Sequence, residues 1–163
     1  ICNAAYGWDR AQNSNFCIKM PKTELAKDDF EVFWRMTVRY YELDPQGIVH
    51  NSNHAAFYDQ ATLEYFKYIG YDYEGEVKKS NHDFHTVRIT IEYYKPLYFQ
   101  DEVEIGLKIK EIGNSSFTFT MGMFLTSSGE LVGTCEAIWV YTDLKTKKST
   151  PIPEEQKTKL RGK

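Results

Sequence analysis

Residues 38–54 read VRYYELDPQGIVHNSNH and carry the clearest structural signal of the chain. Asp44, Pro45 and Gly47 stand at the first, second and fourth positions of a four-residue group, which is the residue preference of a type I turn. The polar residues 51–53 follow, and their side-chain oxygens can accept hydrogen bonds from the free N–H groups of a helix start. The stretch therefore predicts a turn that leads directly into a helix.

The helix is predicted over residues 52–69, with Gly70 as its C-terminal stop. At ~100° per residue, Gln60, Glu64 and Lys67 share one narrow polar stripe, and apolar or aromatic side chains occupy most of the remaining surface. Such a helix is expected to be buried on more than one side.

Segments in which apolar residues alternate with polar ones predict five strands around this helix. The first covers residues 33–41, and the later four lie near 87–91, 103–109, 117–123 and 131–141. Short polar turns separate the last three strands, which predicts an antiparallel meander. The expected fold class is α+β, a curved five-stranded antiparallel sheet wrapped around one long apolar helix.

Composition limits the classes of function. The chain has 163 residues, 42% of them hydrophobic, and fits a single globular domain. Its longest apolar runs fall far short of the ~20 residues that cross a bilayer, so no membrane span is expected. Its net charge of −3 offers no general field that would gather DNA or RNA, so no nucleic-acid partner is expected.

Both ends of the chain are predicted to lie outside the domain. We expect residues 1–30 to be a leader of uncertain structure, 31–152 to form the domain and 153–163 to be a basic C-terminal tail. The leader lacks the basic start and apolar stretch of a signal peptide, and one interpretation places the native start at Met20. Seven basic and two acidic residues over 145–163 favour a solvated, partly disordered end.

Cysteine usage favours a reducing compartment. The chain has three cysteines, an odd number, and no Cys-x-x-Cys pair, so neither a disulfide framework nor a zinc knuckle is predicted. We therefore expect a cytoplasmic protein. The cysteines are Cys2, Cys17 and Cys135.

Residues 38–54 resemble the opening motif of the 4-hydroxybenzoyl-CoA thioesterase and YbgC-like branch of the hotdog-fold thioesterases. Residues 87–97, VRITIEYYKPL, and then 101–103 are similar to that family's strand and Pro-containing turn after the helix. The resemblance extends over roughly residues 33–152. It implies a hotdog fold, acyl-CoA thioesterase activity, and a homodimer or homotetramer whose active sites lie between subunits.

Thioester hydrolysis needs a group that attacks or activates water and a donor that stabilises negative charge on the carbonyl oxygen. An aspartate is ionised at neutral pH, so Asp44 can serve as nucleophile or as general base. The helix start follows within seven residues, where unpaired N–H groups favour an oxyanion. The resemblance implies that Asp44 is the catalytic residue and that the N–H of Asn51 polarises the carbonyl.

Other positions are candidates for substrate contact. His50 can line the pocket or cap the helix. Asp59 matches a glutamate in the family's Phe-Glu-x-Ala-Arg run, where an acid can orient water, but Thr62 stands in place of the arginine, so a Glu–Arg pairing is absent. Basic side chains are candidates for CoA phosphates. The substrate-binding candidates are Gly47, His50, Tyr58, Asp59, Arg88 and Lys95.

Neither a metal nor a cofactor is expected. The pairs His50/His54 and His82/His85 have spacings that a metal can use, but each pair lacks a third ligand. The sequence has no Gly-x-Ser-x-Gly, Gly-x-Gly-x-x-Gly or P-loop pattern, which excludes serine hydrolases, dinucleotide enzymes and nucleoside triphosphatases.

Three functions remain open at this point. The first is an acyl-CoA thioesterase that uses Asp44. The second is an acyl-ACP thioesterase, whose acidic carrier protein would dock on Lys145, Lys147 and Lys148. The third is a non-catalytic hotdog module that binds acyl-CoA without turnover.

Overall fold

The computed structural model describes residues 25–162. Two short 3-10 helices cover Lys27–Asp29 and Tyr40–Glu42. The main elements, in chain order, are β1 (Val32–Thr37), α1 (Asn51–Tyr68), α2 (Tyr73–Ser80), β2 (His82–Tyr93), β3 (Glu102–Ile112), β4 (Ser116–Leu125), β5 (Leu131–Asp143) and α3 (Glu154–Leu160). Within 25–162, no helix has both the length and the apolar character that a membrane span requires.

The five strands form one antiparallel sheet in the order β1-β3-β4-β5-β2. Strands β3, β4 and β5 pair as consecutive neighbours, so the predicted meander is confirmed. Strand β1 lies at one edge beside β3, and β2 lies at the other edge beside β5. The end of β2 is next to the start of α1, where the Tyr93 hydroxyl donates to the Asn51 carbonyl at 3.3 Å.

The core lies between α1 and the face of the sheet that the helix covers. Side chains alternate across a strand, so every second residue of β3, β4 and β5 enters this core. The predicted α+β fold of one sheet around one long helix is confirmed. The expectation that α1 is buried on more than one side is wrong, because its buried residues lie on one face and Leu63 and Tyr68 are exposed. The buried core residues include Phe57, Tyr58, Ala61, Tyr65, Phe66, Val103, Ile105, Leu107, Phe117, Phe119, Met121, Met123, Ala137 and Trp139.

Helix α1 has nearly the predicted limits but a different N-cap. The cap residue is His50, not one of residues 51–53. Nδ1 of His50 accepts a hydrogen bond from the Ser52 N–H at 3.3 Å, so an imidazole nitrogen satisfies one of the free donors of the helix start. At the other end, Gly70 is in the left-handed conformation with φ of 70°, as expected for a helix stop.

Strand β1 is shorter than predicted. It ends at Thr37, whereas alternation in the sequence extended it to residue 41. The carboxylate of Glu42 is buried and accepts hydrogen bonds from the Arg39 backbone N–H at 2.7 Å and from Arg39 Nε at 2.8 Å. These local bonds favour a 3-10 turn over continued pairing with β3. The alternation assigned Tyr40 to the buried face of the strand, but its side chain is exposed.

The predicted solvated tail is wrong as far as Leu160. Helix α3 lies in this segment, and its Leu160 is fully buried. Ile152 and Gln156 are buried as well, and Gln156 Oε1 accepts a hydrogen bond from the Tyr71 hydroxyl at 2.8 Å. Gln156 and Leu160 are four residues apart in α3, so they pack on one face of the helix.

The predicted leader is described only from residue 25. Phe30 is buried against the sheet face opposite α1, and a Cβ added at Gly106 or at Gly122 would meet its ring. The folded unit therefore includes Phe30. Most of the predicted leader, with Cys2 and Cys17, lies outside the described residues.

Candidate active site

Asp44 opens the turn that precedes α1. Its backbone carbonyl accepts from the Gly47 N–H at 2.9 Å, and its own N–H donates to the Ile48 carbonyl at 2.8 Å. Its Oδ1 accepts from the Gln46 N–H at 2.7 Å, while Oδ2 has no hydrogen bond within residues 25–162. The turn thus fixes the carboxylate through one oxygen and leaves the other oxygen available to a substrate.

The start of α1 is held by the backbone carbonyl of Glu42. This carbonyl accepts from the His50 N–H at 2.9 Å and from Asn53 Nδ2 at 2.7 Å. In the described part of the chain, the Asn51 N–H has no acceptor, as is usual in the first turn of a helix. The positive end of the helix dipole also favours a negatively charged group beside this N–H.

One cavity of about 410 Å³ joins the turn, the helix start and the segment after β2. Its walls come from both stretches of sequence that resemble the family. Four of the predicted site residues line it, namely Asp44, His50, Asn51 and Lys95, together with Ile48, Val49, His54, Tyr93, Tyr94 and Pro96. The fold therefore brings together a carboxylate, an unused amide N–H, two imidazoles and an ammonium group.

Four other predicted site residues do not line this cavity. Gly47 shapes the turn instead, with a φ of 75° that residues with a Cβ rarely adopt. Tyr58 is a residue of α1 whose side chain is fully buried, and its hydroxyl has no partner in the described structure.

Asp59 and Arg88 also lie outside the cavity. Asp59 is exposed, and partial desolvation raises the pKa of its carboxyl. Arg88 lies on the sheet face opposite α1, where its guanidinium is 3.6 Å from a carboxylate oxygen of Glu136. Alternation along β2 places Arg88 on that face, because its neighbour Ile89 points to the helix side.

His54 and Tyr93 line the cavity but were not predicted as site residues. His54 is only 5% exposed, and burial lowers the pKa of its imidazole to about 4. Its ring lies edge-to-face against Tyr93, with centroids 5.0 Å apart. The spacing of His50 and His54 was a usable signal, since residues four apart stand on the same side of a helix. The contact with Tyr93 had no local signal.

The remaining polar groups of the cavity are already engaged or lie near solvent. Nδ1 of His50 is 2.8 Å from Ser52 Oγ, and Lys95 forms an ion pair with Glu130. Within residues 25–162, no group of three or more His, Cys, Asp and Glu side chains is arranged to hold a metal ion. The arrangement can therefore deliver a carboxylate oxygen to a carbonyl carbon while N–H donors bind the carbonyl oxygen.

Comparison with known proteins shows the family. The model of the thioesterase-like superfamily matches residues 38–160. A protein of Aquifex aeolicus (strain VF5) that carries the name "Putative esterase" is 30% identical over 122 residues, which cover 75% of this chain and 91% of that protein. The chain belongs to the thioesterase-like superfamily.

Solved structures agree on the fold. The 1,4-dihydroxy-2-naphthoyl-CoA thioesterase from Synechocystis has a TM-score of 0.72 and 16% identity, with 78% of this chain and 93% of that chain covered. The DHNA-CoA thioesterase from Staphylococcus aureus has a TM-score of 0.68 and 19% identity, with 73% and 78% covered. At these identities the likeness shows the hotdog fold. Its membership of the thioesterase-like superfamily makes this chain a thioester hydrolase.

Proposed function

We propose that the chain hydrolyses acyl-CoA thioesters to a carboxylic acid and CoA, with Asp44 as the catalytic carboxylate and the Asn51 N–H as oxyanion donor. One observation supports the proposal: Asp44 Oδ2 and the Asn51 N–H have no partner within residues 25–162, and both residues line the same 410 Å³ cavity. An unused acceptor and an unused donor on two sides of one cavity match the two requirements of acyl transfer.

Two routes use the same geometry. As general base, Asp44 takes a proton from water, the hydroxide adds to the carbonyl carbon, and the C–S bond then breaks to release the CoA thiolate, which is protonated. As nucleophile, Oδ2 adds to the carbonyl carbon, the thiolate leaves, and water hydrolyses the resulting acyl-aspartyl anhydride. Single turnover in H₂¹⁸O separates them, since only the nucleophilic route can leave ¹⁸O in the Asp44 carboxylate.

Within a single protomer, the position of the basic turn favours acyl-CoA over acyl-ACP. Lys145, Lys147 and Lys148 are exposed after β5, next to the start of β2, where Asp143 pairs with His82. The cavity lies at the opposite end of β2, and this 12-residue strand is ~36 Å long. A carrier protein bound to that turn would sit far from the cavity of the same protomer. Rates on one acyl chain carried by CoA and by carrier protein decide between the two substrates.

The expected oligomer fits the exposed edge of β2. Val87 is 60% exposed and Ile89 is 40% exposed, and an uncovered edge strand also presents unpaired backbone groups. A two-fold axis would pair β2 antiparallel with its copy and cover this edge, giving a homodimer or a homotetramer built from dimers. Val87→Lys should shift the mass measured by light scattering toward the monomer. Val87→Thr is the matched control, and an unchanged mass for Val87→Lys would contradict pairing through β2.

The decisive experiment is thiol release over a panel of acyl-CoA esters. Asp44→Asn and Asp44→Ala should lower kcat at least ~100-fold, as expected for the loss of a general base or nucleophile. Asp28→Asn, an exposed acid outside the cavity, should retain wild-type turnover. Near-wild-type rates in both Asp44 variants would remove this residue from the mechanism. Tight acyl-CoA binding with no turnover by the wild-type chain would favour the non-catalytic module.

A further inference from the structure

His54 is a buried polar side chain without a hydrogen bond. It is 5% exposed, and neither ring nitrogen has a partner among residues 25–162. Buried polar groups in native proteins are nearly always hydrogen-bonded, so an unpartnered one needs an explanation. Its place in the wall of the Asp44 cavity suggests that a ligand supplies the missing partner.

Nε2 is the ring nitrogen that a ligand can reach. Nδ1 is buried. Nε2 makes no hydrogen bond within the described residues either, but it retains solvent-accessible surface. Because His54 lines the cavity, this surface opens there. A sealed acceptor is tolerated better than a sealed N–H, so we assign the proton to Nε2.

The ring is held close to the helix start. Side chains in a helix lean toward its N-terminus, so His54 leans over the turn in which the Asn51 N–H is exposed. Tyr93 fixes both residues, because its ring contacts the His54 ring with centroids 5.0 Å apart and its hydroxyl donates to the Asn51 carbonyl at 3.3 Å. Phe57 lies against the ring as well, with centroids 6.0 Å apart.

We propose that His54 is a second oxyanion donor, whose Nε2–H binds the thioester carbonyl oxygen together with the Asn51 N–H while Asp44 acts on the carbonyl carbon. This inference rests on the proposed function and adds one catalytic residue to it. Two donors from successive turns of α1 converge on one oxygen, which is the arrangement that stabilises a tetrahedral intermediate.

The surroundings suit a donor that keeps its proton. Burial lowers the pKa of the His54 imidazole to about 4, so the ring is neutral near pH 7. The other titratable side chains of the cavity are Asp44, His50, Tyr93, Tyr94 and Lys95. A neutral imidazole donates a hydrogen bond to the developing oxyanion without acting as the acid that protonates the thiolate.

The first test compares three substitutions by acyl-CoA hydrolysis. His54→Phe keeps a packed ring and removes the donor, so kcat should fall about 100-fold with little change in KM. His54→Gln returns an N–H donor and should recover at least a tenth of the wild-type kcat. His82→Phe removes a histidine far from the cavity and should behave as wild type. Circular dichroism and thermal melts establish that each variant is folded.

A spectroscopic readout separates the donor from a packing role. In the Asp44→Asn variant, the ¹³C=O stretch of a bound labelled acyl-CoA should lie at lower wavenumber than in solution, because donors polarise the carbonyl. Adding His54→Phe should reduce that shift, and adding His54→Gln should preserve most of it.

Two results would overturn the role of His54 without touching the proposed function. One is a wild-type kcat in His54→Phe while Asp44→Asn is inactive. The other is a carbonyl stretching wavenumber that is the same with His54, with His54→Phe and with His54→Gln. Conversely, wild-type kcat in Asp44→Asn would contradict the proposed function itself. The His54 assignment would then be judged from the two His54 variants alone, in which Asp44 is intact.

Discussion

The two ends of α1 handle polar groups in opposite ways. At its C-terminal end, the Tyr71 hydroxyl donates to Gln156, the Tyr65 hydroxyl donates to the Leu160 carbonyl at 3.4 Å, and Lys159 forms an ion pair with Glu76 at 2.8 Å. At its N-terminal end, polar atoms of three residues have no partner within the described chain, namely Asp44 Oδ2, the Asn51 N–H and His54 Nε2.

This contrast separates a structural region from a chemical one. A polar network inside a protein whose members are all hydrogen-bonded stabilises one conformation. Removing one member leaves its partner buried without a hydrogen bond, which lowers the free energy of unfolding. Unsatisfied groups around a cavity instead keep their hydrogen-bonding capacity for a ligand. Substitutions at the C-terminal end should therefore change stability, and substitutions at the N-terminal end should change turnover.

The largest structural effect is expected from Leu160→Ala. Leu160 is fully buried at the C-terminal end, so its truncation should lower the free energy of unfolding by about 2–5 kcal/mol. Turnover per folded molecule should not change, because Leu160 does not line the cavity. Denaturant melts and kcat measured below the melting temperature check both halves. A large loss of kcat in the folded variant would break the division between the two ends.

The next effect is on acid stability and concerns His54. The unfolded chain protonates this histidine below about pH 6.5, but the folded chain does so only near pH 4, so the native state is penalised as the pH falls through this window. The free energy of unfolding should decrease by about 3 kcal/mol between pH 6.5 and 4 on account of this group. Denaturant melts of wild type and His54→Phe across this range measure it, and parallel pH curves would refute it.

The smallest effects come from a matched pair of substitutions. Asn53→Ala removes the bond to the Glu42 carbonyl at the N-terminal end, and Tyr71→Phe removes the bond to Gln156 at the C-terminal end. Each should cost about 1 kcal/mol of unfolding free energy. Only Asn53→Ala should also lower kcat, because it loosens the helix start that carries the donor. Equal kcat values in the two variants would show that the helix start tolerates this loss.

Local sequence was sufficient for most of the fold and for half of the cavity. Alternation and turn residues predicted β3, β4 and β5, and the 38–54 stretch predicted the turn and α1. These features depend on neighbours within a few residues, where propensity and capping act. The sequence pattern failed for β1 beyond Thr37, where Glu42 bonds to Arg39, and for α3, where burial of Leu160 against a distant element decided the outcome.

What the sequence determined by itself is the order of a carboxylate, a tight turn and a helix start, because Asp44 and Asn51 are only seven residues apart. What the tertiary structure alone decided is which side chains complete that site. Tyr93 and Lys95 reach the cavity because β2 runs along one edge of the sheet and ends beside α1, and Arg88 is excluded because alternation along the same strand turns it to the other face.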